Sequence, residues 1–245
     1  MSGASSDEEV IEAKNTLNVM SSSINLRNQT FKALQEGYYP IVLGGDHSQA
    51  IGSIAGMKRF MPDTKIIWVD AHIDANTPDS SPSRNAHGMP LAYLTGQINQ
   101  HKHWSCVDMR KDVCYFGIRS YEDEEAQFIS DNNVLVFEPK DCQSNKMNKI
   151  NAVMNRYYHS VRGYEDKSKY WISFDIDSID ANQFMSTGTA EGNGLSIEFV
   201  SKLFETFTAR SIGMDLTEVN FELTAGQMRQ TDEQTFREIF EHICH

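Results

Sequence analysis

Asp70, His72 and Asp74 stand at alternate positions in Trp68-Val-Asp-Ala-His-Ile-Asp-Ala-Asn-Thr77, directly after an apolar run. Alternate side chains of an extended segment point to one side, so this spacing can gather three metal-ligating groups where a strand gives way to a loop. Short Asp-rich patterns arise easily in a chain with 34 acidic residues, and Asp is also common in turns and caps. The decision comes from two further segments with the same chemistry, each following its own apolar run: Gly44-Gly45-Asp46-His47-Ser48 and Asp175-Ile-Asp177. In a parallel sheet these segments meet at the carboxyl edge, where α/β folds place their ligands. Asp70, Asp74, Asp175 and Asp177 with His47 and His72 exceed the set that one zinc ion takes. Two ions fit better. A carboxylate-rich set without thiolates favours manganese(II), with iron, cobalt and nickel left open by ligand type alone. Two such ions about 3.5–4 Å apart can share a hydroxide and use it as a nucleophile at neutral pH.

The elements that must position these groups are legible as alternation. Apolar runs rich in β-branched and aromatic residues at 40–43, 65–69, 113–116, 134–137, 170–174 and 211–216 predict strands. Segments 49–60, 88–94, 123–130, 145–159, 196–208 and 232–242 have helical spacing. Ser6-Asp7-Glu8-Glu9 has the form of a capping box and opens a helical pattern running to Gly37, with a break expected at Ser21-Ser22-Ser23. Strands alternating with helices predict a three-layer α/β fold: a mainly parallel sheet of about six strands, covered by helices on both faces. One domain over 1–245 is expected, with a helical segment at 1–37, the site-bearing core at 38–223 and a C-terminal helix in 224–245. The loop 77–87, rich in Ser, Pro and Asn, adjoins the suspected site.

A formal charge of −12, from 22 basic and 34 acidic residues without a basic cluster, argues against nucleic acid or an anionic membrane as partner. A cation suits the chain better. Neither a secretory signal nor an apolar stretch of membrane-spanning length occurs, so a soluble, cytoplasmic protein is expected. Cys106, Cys114, Cys142 and Cys244 are widely spaced, which predicts reduced thiols rather than a disulfide scaffold or a structural zinc.

Taken together, GGDHS, DAHIDANTP, Ser83-Arg-Asn85-Ala-His87-Gly88, SFDIDSID and DLTEVN resemble the arginases of the ureohydrolase family over about residues 38–223. The resemblance implies two manganese(II) ions and hydrolysis of L-arginine to L-ornithine and urea. It implies His47, Asp70, Asp74 and Asp175 as ligands of one ion, and His72, Asp70, Asp175 and Asp177 as ligands of the other. Asp70 and Asp175 then bridge, and Asp74 can also accept a hydrogen bond from the bound hydroxide. His87 matches the family's proton-transfer histidine. Glu218 matches the carboxylate facing the substrate guanidinium. Asn76, Ser83 and Asn85 match loop residues that read the α-carboxylate and α-amino end, Glu122 stands where an Asp usually meets the α-amino group, and Thr189 matches a pocket residue.

By the same resemblance, His47 comes early, so the first two strands of the family sheet are expected to be absent. The strands left are contiguous and include every ligand-bearing one, while 39–44 becomes an edge that the first helix or another chain would cover. Phe221 and Ala181 replace prolines usual in the family, and the C-terminal tail is short; these bear on the family's trimeric homo-oligomer more than on the chemistry. Another ureohydrolase activity, such as that of an agmatinase, remains open, as does a non-catalytic protein that binds metal or a longer partner. Asp46 and Asp180 read as turn and support residues, and His101 and His103 as part of a solvated loop.

Overall fold

The computed structural model describes residues 12–162 and 169–244. Six strands form one parallel sheet: β1 (Ile41–Leu43), β2 (Lys65–Val69), β3 (Val113–Phe116), β4 (Leu135–Phe137), β5 (Tyr170–Asp175) and β6 (Ser211–Thr217). Their order across the sheet is β1-β6-β5-β2-β3-β4. Chain order and sheet order part company at β2: the chain leaves β1, enters the middle of the sheet, moves outward to β4, then returns to fill the gap with β5 and β6. The strands that carry site residues are therefore neighbours, and all point their carboxyl ends the same way.

The helices are α1 (Thr16–Gln35), α2 (Ala50–Phe60), α3 (Pro90–Thr95), α4 (Met109–Asp112), α5 (Asp123–Asp131), α6 (Met147–Arg162), α7 (Ile197–Phe207) and α8 (Gly226–Cys244). Strand periodicity sorts their partners. Ile67 and Val69 of β2 join a core with Met154 of α6, Phe204 of α7 and Ile239 of α8. Ile66 and Trp68, one position away, join the opposite core with Leu34 of α1, Ile54 of α2 and Leu91 of α3. Both faces of the sheet are thus covered, as the near-continuous apolar runs predicted.

Three expectations need correcting. α1 runs unbroken through Ser21-Ser22-Ser23, with Ser23 buried against α2, where Gly52 lets the two backbones approach. It starts at Thr16 after Asn15, whose φ of 55° lies in the left-handed region. The proposed capping box at Ser6 lies outside the described residues. The last helix begins at Gly226, ahead of the expected position 232. Among the described residues β1 pairs only with β6, and α1 packs along α2 rather than over that edge, leaving Leu43 59% exposed. No described helix is long and apolar enough to cross a membrane.

Candidate metal centre

β1 ends in Gly44-Gly45, and Asp46 then caps a turn of 3-10 helix at His47, accepting hydrogen bonds from the Ser48 amide and hydroxyl. That is the turn role expected of Asp46. His47 is thereby carried inward over the ends of β5 and β2, where it is buried and stacks on Trp68 at 4.3 Å between ring centroids. β2 delivers Asp70 and β5 delivers Asp175 from adjacent, parallel-paired strands. Beyond β2 the chain stays extended long enough for His72 to bridge Ser120, then reverses at Asp74, whose φ is 57°. This left-handed conformation, which Asn and Asp tolerate better than most side chains, leaves the third member of the motif beside the first at His47.

The result is two ligand clusters joined at Asp70. His47 Nδ1 lies 3.0 Å from Asp70 Oδ2, 3.0 Å from Asp74 Oδ2 and 3.2 Å from Asp175 Oδ2. His72 Nδ1 lies 3.2 Å from Asp177 Oδ2 and 3.5 Å from Asp70 Oδ1. His47–Asp70–Asp175 and Asp70–His72–Asp177 each have the geometry to hold a metal ion. All six side chains nominated from the sequence meet at one place.

Whether these groups suit a cation can be judged from His47. Asp215 accepts from Ser53 Oγ at 2.6 Å, Trp171 Nε1 at 2.6 Å and Ser173 Oγ at 2.5 Å. Because Ser173 spends its only proton on that carboxylate, its oxygen accepts from His47 Nε2, 3.0 Å away. The Nε2 proton is thus held on the far side of the ring. Nδ1, buried and in hydrogen-bond geometry with no partner, faces three carboxylate oxygens with at most one hydrogen to divide among them. A cation satisfies all four atoms at once, and the neighbouring carboxylate–serine–imidazole chain is the support a ligating histidine requires.

The electrostatics agree. Burial, then the charge of Asp70, pushes the Asp74 carboxyl up to about 7. Burial, then the charges of Asp177 and Asp70, holds Asp175 well above the carboxylate range. Burial works against a charged His72, yet its hydrogen bonds to Asp177 and Asp70 prevail and raise it to about 12. The centre carries more negative charge than its own histidines can offset.

Over this floor opens a cleft of about 210 Å³. Glu218 (φ 63°) reaches it from the end of β6; its Oε1 accepts from the His47 amide at 3.0 Å and lies 3.2 Å from His87 Nδ1. That hydrogen bond raises the His87 pKa. Asn76 is buried beside Glu122, to which it donates at 2.8 Å, and Ser83 sits on the exposed rim. Thr189 donates to Asp177 Oδ2 at 2.6 Å. Asn85 is exposed and faces a neighbouring hollow shared with Lys14, rather than the cleft itself. Asp180 takes the support role expected of it, accepting from Gly194 and Asn182. His101 and His103 are not among the cleft's lining residues; instead of the solvated loop expected, they lie in a 3-10 stretch with ring centroids 5.9 Å apart, and both ring nitrogens of His101 are buried.

Five contributors escaped the sequence reading. Ser173 and Asp215 sit directly opposite each other in the β5–β6 register, and Trp68 opposite Ser173 in β2–β5. Such a chain across strands has no short-range spacing to betray it, although two of its members lie within the motifs SFDID and DLTEVN. Glu125, buried in the cleft wall, accepts from the Ala75 amide at 2.9 Å. Burial, then a hydrogen bond with Glu122, pushes its pKa up to about 8. Arg119, beside the noted Glu122, spends its guanidinium on the carbonyls of Asp177, Ser178, Glu191 and Gly192, pinning the loop that follows β5.

Comparison with known proteins places this geometry. The chain is 33% identical over 216 residues to an arginase of Emericella nidulans, an alignment covering 82% of this chain and 64% of the relative, so it spans less than two-thirds of that protein. The structure superposes on an arginase of Bacillus subtilis with a TM-score of 0.82 at 28% identity, covering 99% of this chain and 81% of the other. An Entamoeba histolytica arginase in complex with L-ornithine matches with a TM-score of 0.77 at 29% identity, covering 93% and 78% of the two chains. The sequence model of the Arginase family matches residues 7–242, and the chain belongs to that family.

Proposed function

We propose that the chain hydrolyses L-arginine to L-ornithine and urea with two manganese(II) ions, one held by His47, Asp70, Asp74 and Asp175 and the other by His72, Asp70, Asp175 and Asp177. The observation that carries this reading is the pair of clusters sharing Asp70 on the floor of a cleft whose wall holds Glu218 and His87. When bound there, two divalent cations would supply a nucleophile drawn from water at neutral pH and would stabilise charge on the guanidinium.

The remaining work falls to the chain. Glu218 has one oxygen committed to the His47 amide, and its carboxylate orients the planar guanidinium. Hydrolysis breaks the bond between the guanidinium carbon and the nitrogen that stays on ornithine, so that nitrogen needs a proton. His87 stands beside Glu218 and is kept protonated to higher pH by it, which suits it to this donation. Asn76 has one amide hydrogen engaged with Glu122 and a second available; with Ser83 on the rim it reads the amino-acid end of the substrate, while Glu122 meets the α-amino group. Thr189 steadies Asp177. The crystallised complex of the amoebal relative with L-ornithine supports an amino-acid product.

Comparison of arginine with agmatine, which lacks the α-carboxylate, tests the assignment. Combined Asn76→Ala and Ser83→Ala should cut kcat/KM for arginine about ten- to a hundredfold, the loss of hydrogen bonding worth roughly 1–3 kcal/mol to a charged group. Agmatine turnover should hardly change. Equal losses for both substrates, or a wild type that prefers agmatine, would refute the reading.

A further inference from the structure

Between the middle of α1, the last turn of α2 and the 3-10 stretch Asn99–Trp104 lies a cavity of about 400 Å³. Arg27, Lys58, Arg59 and Trp104, each a hydrogen-bond donor without acceptor capacity, line it together with Ala55, His103 and Cys106. Lys58 is engaged: its ammonium lies 2.8 Å from Asp112 and donates to the Pro62 carbonyl at 3.0 Å. The two guanidiniums are not. Arg27 lies over the Trp104 ring at 5.0 Å and Arg59 over Phe31 at 4.2 Å, and neither has a carboxylate partner among the described residues.

Two donors go further. Arg27 Nε and Trp104 Nε1 are buried with no hydrogen-bond partner among the described residues, and Trp104 as a whole is only 2% exposed. A buried N–H without an acceptor is rare in folded proteins and points to a missing partner. The position of Lys58 and Arg59 in the last turn of α2 answers the helix dipole. That accounts for neither Arg27, in the body of α1, nor the orphaned indole. In a chain of net charge −12, two guanidiniums without a carboxylate partner among the described residues, one of them carrying the buried Nε, and an orphaned indole beside them mark one cavity as built for negative charge.

We propose that this cavity binds the phosphate group of a small dianion, either inorganic phosphate or a phosphate monoester. Two fixed cationic charges match a dianion, and a tetrahedral oxyanion offers enough oxygens to accept from several donors that converge from different elements. The stacked aromatic rings hold both guanidiniums in place before the ligand arrives.

Thermal unfolding at constant ionic strength tests this, with inorganic phosphate in one arm, glycerol 3-phosphate in another and potassium chloride as control. Ligand at a hundredfold excess over its Kd should raise the Tm of a chain this size by roughly 5–10 °C. Arg59→Gln, at an exposed position without hydrogen bonds, and Arg27→Lys, which keeps the charge but not the Nε donor, should each weaken the apparent affinity at least tenfold. Stabilisation by either phosphate compound that is lost in both variants supports the site, and the stronger compound names the source. Absence of stabilisation in the wild type overturns it. So does equal stabilisation of wild type and variants, which would place the phosphate elsewhere, at the carboxylate centre for example.

Discussion

His47 shows how much of a candidate metal ligand is set by residues outside it. Its useful face exists because Ser173 Oγ accepts a hydrogen bond from Nε2–H, and it does so because the serine's own proton is donated to Asp215. Ser173→Ala removes the middle of that chain without touching a ligand, so manganese affinity should fall about 10–100-fold, the usual effect of losing a ligand's supporting partner. Titration with manganese against a competing chelator measures it. Glu125 gives a prediction with the opposite sign to that of most carboxylates. Its folded pKa of about 8 lies above the unfolded value of roughly 4.3, so the folded state binds the extra proton. Stability from this group is fully present below the unfolded value and is lost as pH rises toward 8. Gln stays neutral throughout, so the Tm of Glu125→Gln relative to wild type should improve from pH 5 to pH 9. A constant or falling difference would show that Glu125 titrates normally. His87→Ala should keep both metals and lower turnover by roughly 10²–10⁴-fold, since its proposed work is proton transfer. Metal content and rate on one sample check this.

At the scale of elements, strands were the most legible feature because their apolar runs are short, β-branched and fully buried: β2 and β3 lie within the predicted bounds, and β5 and β6 run one residue beyond them. Helix starts were less so. Asn15 and Gly226 hold left-handed conformations that Asn and Gly take as readily in turns, so only the tertiary context decides that a helix starts there. The unbroken course of α1 past three serines has the same origin, since its packing on α2 outweighs weak helix formers. Gly52 and Gly56 are what permit that packing: a Cβ at Gly56 would sit 2.5 Å from the Arg27 carbonyl. Gly56→Ala should therefore force the helices apart and cost about 1–3 kcal/mol, as overpacking does. For a chain of this length that is a fall in Tm of roughly 2–10 °C, read by calorimetry. Because His47 opens the 3-10 turn that runs directly into α2, the same variant should also weaken metal binding, whereas Ala at the exposed Gly192 should change neither.

For the molecule as a whole, the sheet order explains why the site was readable in advance. β1, β6, β5 and β2 are neighbours, so motifs far apart in sequence had to meet once the sheet was parallel. What alternation could not convey was the reversal at Asp74, the left-handed Glu218 and the serine–carboxylate support beneath His47, all of which depend on strands placed side by side. Bound metal should couple to folding as well, because the buried carboxylates repel one another without it; chelation should lower the Tm and manganese should restore it. The central claim is that this assembly is a binuclear hydrolase of arginine, and one measurement addresses it: urea and ornithine released from L-arginine by protein loaded with manganese, with bound metal counted on the same sample. The account predicts two manganese ions per chain and equal amounts of urea and ornithine, both abolished by Asp175→Ala. Two bound ions with no urea, or full activity with a single ion, would contradict it.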